Sequence, residues 1–310
     1  MNNNLQIHNQ RANFTLVVGQ PATPLEVTIE AFLRSLPGKN RSAATVKAYR
    51  SDLGQFATWL TENNVIAVDP TRIRRADVEA YLSDLAHLGL SGVSRSRKLA
   101  AIREYFRFLE DHGTIARSPA AGVDGPRREQ KTRSYLKPDE YRAVLSLAGS
   151  NARDYAILQV FLQTGLRVSE LVHLRMVDLD LAGKVLTVRG GKGLSDREID
   201  LEKHAIEAVK NWLRIRPPSL HEHLFLNYRG EPISERSVRR LVAKYRHRAG
   251  LTKKATPHTL RHTFASYKAR RGVPLRQVQE WLGHKNIATT QIYVHLDRQD
   301  AQKAMEATSL

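Results

Sequence analysis

The chain has 310 residues, with 49 Lys and Arg against 31 Asp and Glu, a net charge of +18. A balance this basic favours a polyanionic partner, nucleic acid being the commonest, although a basic ribosome-associated protein would share it. The absence of cysteine excludes disulfides, thiolate metal sites and cysteine nucleophiles together. Residues 1–23 show little periodicity and read as a leader, and Met1 to Gln10 is Asn-rich without the apolar stretch of a signal peptide. No apolar run reaches the ~18 residues of a membrane span, so a reducing cytoplasm is the expected location.

From Pro24 the pattern turns helical, with Leu25, Ile29 and Leu33 marking a first helix. Over Ser42 to Glu62, Val46, Tyr49, Leu53, Phe56 and Leu60 recur at three- and four-residue steps and draw one apolar stripe. Val78, Leu82 and Leu85 mark a third helix; Leu99, Ile102, Phe106 and Leu109 mark a fourth, which Gly113 is placed to end. The expectation for 24–117 is a small all-α domain. Periodicity then disappears: 118–133, SPAAGVDGPRREQKTR, with its Pro, Gly and basic tail, reads as a linker. The second domain is expected over 134–310. It holds 30 basic and 18 acidic residues, against 14 and 11 in 24–117, so most of the excess positive charge lies there.

Lys137-Pro138-Asp139-Glu140 suits a helix start, and an apolar helix through Tyr155, Leu158, Phe161 and Leu162 runs into Gly165, a good stop. Val185 to Arg189 and Arg197 to Leu201 alternate like strands around Gly190, Gly191 and Gly193, which predicts a hairpin. A strand or turn is expected near Leu224 to Asn227, and the remainder reads as helix. The fold class is therefore mainly α with a small β-sheet.

Six residues in this domain are candidates for chemistry: Arg167, Lys192, His258, Arg261, His284 and Tyr293. Attack on a phosphodiester adds negative charge to an anion, and planar Arg forks are the best side chains to hold it. Histidine suits a proton acceptor near neutral pH, and a lysine among other cations suits a proton donor. A tyrosine hydroxyl, with a pKa of about 10, needs such a site to become a nucleophile. Taken singly, each residue has an ordinary explanation: Arg167 as a helix-end pair, Lys192 as a solvated turn, His284 as a cap, Tyr293 as packing. His258 and His262 share a helix face and pass as metal ligands, but no acid or cysteine sits nearby to complete a set, so no metal is expected.

The arrangement says more than the members. TGLRVSEL, GGKG, TPHTLRHTFAS, WLGHKN and TTQIYVHLD follow one another over 164–297, and together they resemble the signature of the tyrosine recombinase (phage integrase) family. TVKAYRSDLGQFATWL resembles the family's SAM-like core-binding domain, and the motif wording is similar to Xer-like and transposon-encoded members. The resemblance implies site-specific recombination by a C-shaped clamp around double-stranded DNA, working as a tetramer in synapsis. It implies that Arg167 and Arg261 clamp the scissile phosphate, His258 relays the tyrosine proton, His284 hydrogen-bonds the phosphate and Lys192 protonates the leaving 5′ hydroxyl. Tyr293 would attack and leave a 3′-phosphotyrosine link, while Glu170 orients Arg167. The link conserves the bond energy, so no cofactor, ATP or metal is expected, in keeping with the lack of a GxxxxGK[ST] loop. In one departure from the family pattern, GGKGLSDREIDL has Ser195 and Asp196 where further basic residues and a Val-Pro pair are common.

The helix SERSVRRLVAKYRHRAG sets Arg236, Arg239, Arg240 and Lys244 against an apolar side of Val238, Leu241, Val242 and Tyr245, as suits a helix laid on DNA. Lys47, Arg50, Arg95 and Lys98 are the matching candidates in the first domain. Asp297 to Thr308 reads as an amphipathic tail that docks on a neighbouring protomer or packs on its own domain. With a leader of about 23 residues, a two-domain enzyme without the arm-binding domain of some phage integrases is expected, and a second recombinase or an accessory protein is left open as a partner. Three other readings compete: a type IB topoisomerase, a non-catalytic DNA-binding regulator, and a metal-dependent nuclease using His258 and His262.

Overall fold

The computed structural model describes residues 23–63, 69–126, 134–190 and 196–283, in two compact units, 1–131 and 132–310. Among the described residues no helix is long and apolar enough to cross a membrane.

The first unit contains α1 (Pro24–Ser35), α2 (Ala43–Glu62), α3 (Arg75–His87) and α4 (Gly92–Asp111). Thr23 and Glu26 form a reciprocal capping box at the start of α1, while Ser42 and Ser91 accept from Thr45 and Ser94 at the starts of α2 and α4. Each supplies an acceptor for a backbone N–H that the helix leaves unpaired. The periodic residues form the core: Leu53, Phe56 and Leu60 of α2 meet Tyr81 of α3 and Ile102 and Phe106 of α4, with Val46 and Tyr49 half-buried at the edge. Phe56 lies 5.1 Å from Tyr81, centroid to centroid, and Tyr105 meets Phe32 edge-on at 5.9 Å.

Lys98 departs from the expectation of a cation offered to DNA. It is 3 % exposed, and its ammonium donates to Asp52 Oδ1 at 3.1 Å and to Gln55 Oε1 at 2.6 Å; Arg97 also pairs with the fully buried Asp52. The reason lies in spacing, since Lys98 precedes Ile102 by four positions and so sits on the inward face of α4. Removing one partner of a buried ion pair strands the other charge, at about 3–5 kcal/mol. Asp52→Ala is therefore expected to destabilise this unit by that amount in urea melts, and Asp52→Leu with Lys98→Met together to recover most of it. A double variant no more stable than the single one would show that the pair is not the source of the loss.

The second unit contains α5 (Pro138–Ala148), α6 (Ala152–Thr164), the short α7 (Val168–His173), β1 (Leu179–Asp180), β2 (Val185–Val188), β3 (Arg197–Asp200), α8 (Lys203–Ile215), α9 (Glu235–Arg248), α10 (Pro257–Arg270) and α11 (Leu275–Leu282). Helix α6 is the hub and packs against α5, α8 and α10. Ala156, Ile157, Leu158, Val160 and Phe161 are all buried, which is why its sequence is apolar around most of its circumference.

The predicted hairpin belongs to a three-stranded antiparallel sheet of order β1-β2-β3, in which Leu186 faces both Leu179 and Ile199. Strand β1 is two residues long, too short for any alternation to register. The Leu224–Asn227 stretch is held by isolated bridges, Leu226 to Pro232 among them, and by Trp212 Nε1 donating to the Leu224 carbonyl at 2.9 Å.

Candidate active site

Helix α6 ends at Gly165 in the left-handed region (φ +63°), and a Cβ there would stand 2.4 Å from Phe264 Cδ1. Glycine is thus required twice over, by the backbone and by the approach of α10. The turn delivers Arg167 to the N-cap of α7. Glu170, one turn on, accepts from the Arg167 backbone N–H at 2.7 Å and from its Nη1 at 2.7 Å. Arg261 projects from α10, packed between buried Leu260 and Thr263.

The arginines converge on the end of α11. Arg197 Nε donates to the Trp281 carbonyl at 2.7 Å, Arg261 Nη2 to the Leu282 carbonyl at 2.5 Å, and Arg167 Nη2 to the Gly283 carbonyl at 2.8 Å. Three consecutive carbonyls at the negative end of a helix are each met by a different guanidinium. Gly283 has φ +61°, and a Cβ on it would lie 3.0 Å from Arg197 Nη1 and 3.6 Å from Arg167 Nη1. Arg261 Nη1 also donates to the Gly165 carbonyl at 2.7 Å, joining the ends of α6 and α11.

Glu170 lies at the centre of this group. Arg197 grips it with two parallel bonds of 3.1 and 2.9 Å, and Arg261 Nη1 stands 3.9 Å from it. Burial alone would raise the carboxyl's pKa. The Arg197 hydrogen bonds and the Arg167 backbone N–H, with the charges of both arginines, outweigh it and hold the group below the usual carboxylate range. Three guanidinium charges against one carboxylate leave the cluster positive, as an anionic phosphate requires. Arg167 is the more accessible clamp candidate, its side chain 30 % exposed against 6 % for Arg261.

His258 is an exposed residue in the first turn of α10, on the same helix as Arg261. Among the described residues no group of three His, Cys, Asp or Glu is placed to hold a metal ion, so His258 and His262 have no third ligand there. Lys192, His284 and Tyr293 lie outside the described residues, as does the tail from Asp297. Asp196, the departure noted in the hairpin, accepts from the Gly190 N–H at 2.8 Å and ties the two strand ends together.

Sequence reasoning missed Arg197. Its signal was strand periodicity: Arg197 and Ile199 share the inward face of β3, so a charged residue occupies a core-facing position.

On α9 the split between faces is as the sequence predicts. Val238, Leu241, Val242 and Tyr245 are buried; Arg236, Arg239, Arg240 and Lys244 are exposed. Tyr245 anchors the helix by donating to Asp154 Oδ2 at 3.0 Å, and burial together with that carboxylate pushes its phenol up to about 12. In the first unit Lys47 is exposed, whereas Arg95 is half-buried and Arg50 is half-buried and paired with Glu30.

Residues 134–300 match the model of the phage integrase family, and residues 29–113 match the N-terminal SAM-like domain of phage integrases. The chain belongs to the phage integrase family. It is a tyrosine site-specific recombinase. Among its relatives is the tyrosine recombinase XerC of Xanthomonas campestris pv. campestris, 37 % identical over 297 residues, covering 94 % of this chain and 91 % of that protein. The tyrosine recombinase XerD of Staphylococcus aureus is 34 % identical over 289 residues, covering 90 % and 97 %. The fold is shared with the XerH site-specific recombinase in its post-cleavage complex with a palindromic difH substrate, at a TM-score of 0.77 and 20 % identity, covering 92 % and 97 % of the two chains.

Proposed function

We propose that the chain breaks and rejoins double-stranded DNA at a specific site through a 3′-phosphotyrosine intermediate. The convergence of Arg167 and Arg261 on the Gly165 turn and the end of α11 carries this reading, because it builds a positive cluster immediately before the segment that contains His284 and Tyr293. In the reaction the Tyr293 hydroxyl gives its proton to His258 and attacks phosphorus. The P–O5′ bond breaks, and Lys192 protonates the departing 5′ oxygen. Arg167 and Arg261 hold the non-bridging oxygens with their added negative charge, His284 hydrogen-bonds the phosphate, and Glu170 keeps Arg167 aimed. Attack of a 5′ hydroxyl on the phosphotyrosine reverses the sequence of events and joins a new strand.

The exposed cations of α9 and Lys47 supply backbone contacts outside the site, with Arg50 and Arg95 beside them. The two units close on the duplex as a C-shaped clamp, with four chains holding two duplexes in synapsis. Solved structures that share this fold include recombinases described in complex with a difH substrate and with circular intermediate DNA, which supports DNA as the partner.

The test is covalent trapping: the purified chain is incubated, in chelator, with duplexes from the DNA flanking its own gene, then run on a denaturing gel. The expected result is a protein–DNA adduct whose linked peptide, identified by mass spectrometry, contains Tyr293. DNA that is bound but never joined to protein would favour a non-catalytic binder, and sequence-independent relaxation of supercoiled plasmid would favour topoisomerase action.

A further inference from the structure

Arg197 has no part in the chemistry just described, yet its guanidinium is used from end to end. Its Nε meets the last turn of α11 through the Trp281 carbonyl, and its two Nη atoms hold both oxygens of Glu170. The side chain is only 10 % exposed, so the pairing is sheltered from water and salt, and the bidentate geometry fixes the carboxylate in angle as well as distance. Because the same carboxylate meets the Nη1 of Arg167 and stands beside Arg261, any rotation of Glu170 is passed to both. Arg197 also begins β3, so its bond to the Trp281 carbonyl ties that strand end to the end of α11.

We propose that Arg197 is a positioning residue for strand cleavage: by locking Glu170 against the end of α11, it keeps Arg167 and Arg261 aimed at the scissile phosphate. The proposal rests on the recombinase reading above and adds to it a residue that never touches DNA.

The charged groups facing Glu170 are Arg167 from α7, Arg197 from β3 and Arg261 from α10; α11 contributes carbonyls. Arg197→Ala takes away the group that binds both carboxylate oxygens; burial and the Arg167 contacts remain, and with one source of the depression lost the Glu170 carboxyl pKa rises. The protonated acid then releases Arg167, so the variant's cleavage fails on the acid side, where the parent's Glu170 is still ionised.

The experiment measures single-turnover cleavage, DNA affinity and thermal melting for the parent, Arg197→Ala and Arg197→Lys between pH 5.5 and 8.5. Arg197→Ala is expected to bind DNA as the parent does while cleaving about 10- to 100-fold more slowly, the usual cost of losing a supporting partner. Its rate should fall further toward pH 5.5. Arg197→Lys should recover only part of the rate, since a point charge cannot span two oxygens. In parallel, the Glu170 carboxyl carbon is titrated by NMR, a readout that needs no activity, and its midpoint is expected to rise in Arg197→Ala. Parent-like cleavage, an unmoved Glu170 midpoint, or a loss equal at every pH and matched by lost folding would each overturn the proposal. If the parent itself makes no adduct, the recombinase reading fails, while the NMR titration still decides whether Arg197 governs Glu170.

Discussion

Tyr293→Phe is expected to bind its site with the parent's affinity and to form no covalent adduct at all. The substitution removes one oxygen and keeps the ring, so whatever packing the residue provides survives. No second nucleophile is expected to take over, because the chain has no cysteine and other hydroxyls would need the same alignment to phosphorus. Losing the nucleophile of a coupled catalytic group costs on the order of a million-fold in rate, which places cleavage beneath detection on a denaturing gel. A gel-shift series beside the cleavage assay separates chemistry from binding. An adduct formed by the Phe variant would mean that another side chain attacks, and the roles assigned around Tyr293 would have to be withdrawn.

Arg261→Ala is the second large effect, and it strikes two properties at once. For the chemistry, removal of one preorganised donor to a developing anion costs about 10²–10³ in rate. For the fold, Arg261 donates to Gly165 at the end of α6 and to Leu282 at the end of α11, so alanine leaves two buried carbonyls short of a partner, at ~1–3 kcal/mol each. The variant should therefore melt earlier and, at temperatures where it is still folded, cleave at least a hundred-fold more slowly than the parent. Arg261→Lys should rescue neither property fully, because one ammonium cannot reach both carbonyls with a fork's geometry. Loss of stability with an intact cleavage rate would assign Arg261 to the scaffold and leave Arg167 alone as the clamp.

Both expectations depend on features legible at different levels. The helical stripes were plain in the chain itself: Leu53, Phe56 and Leu60 recur with the helical period and are buried, and the basic and apolar sides of α9 separate as its spacing requires. Gly165 as a helix stop was equally readable, because a left-handed cap is a local demand on one residue. Arg167 and Arg261 stood out only through the order of the motifs around them; in isolation each was an unremarkable cation.

Tertiary structure supplied the partners that local period does not name. Lys98 looked like a surface cation until Asp52, 46 positions away, was brought against it and burial made the pair obligatory. Arg197 looked like an ordinary strand residue until Glu170 and the carbonyls of α11 surrounded it. Strand β1, two residues long, exists only because Leu179 and Asp180 find partners in β2. For Lys98 and Arg197 the deciding interaction joins segments remote in sequence, and its strength comes from the exclusion of water, which arises only once those segments have packed together. The amino-acid order by itself determined which residues make helices and, on α9, which face is apolar and which is basic; packing determined that Lys98 and Arg197 are buried supports, because only the folded chain brings Asp52 and Glu170 against them.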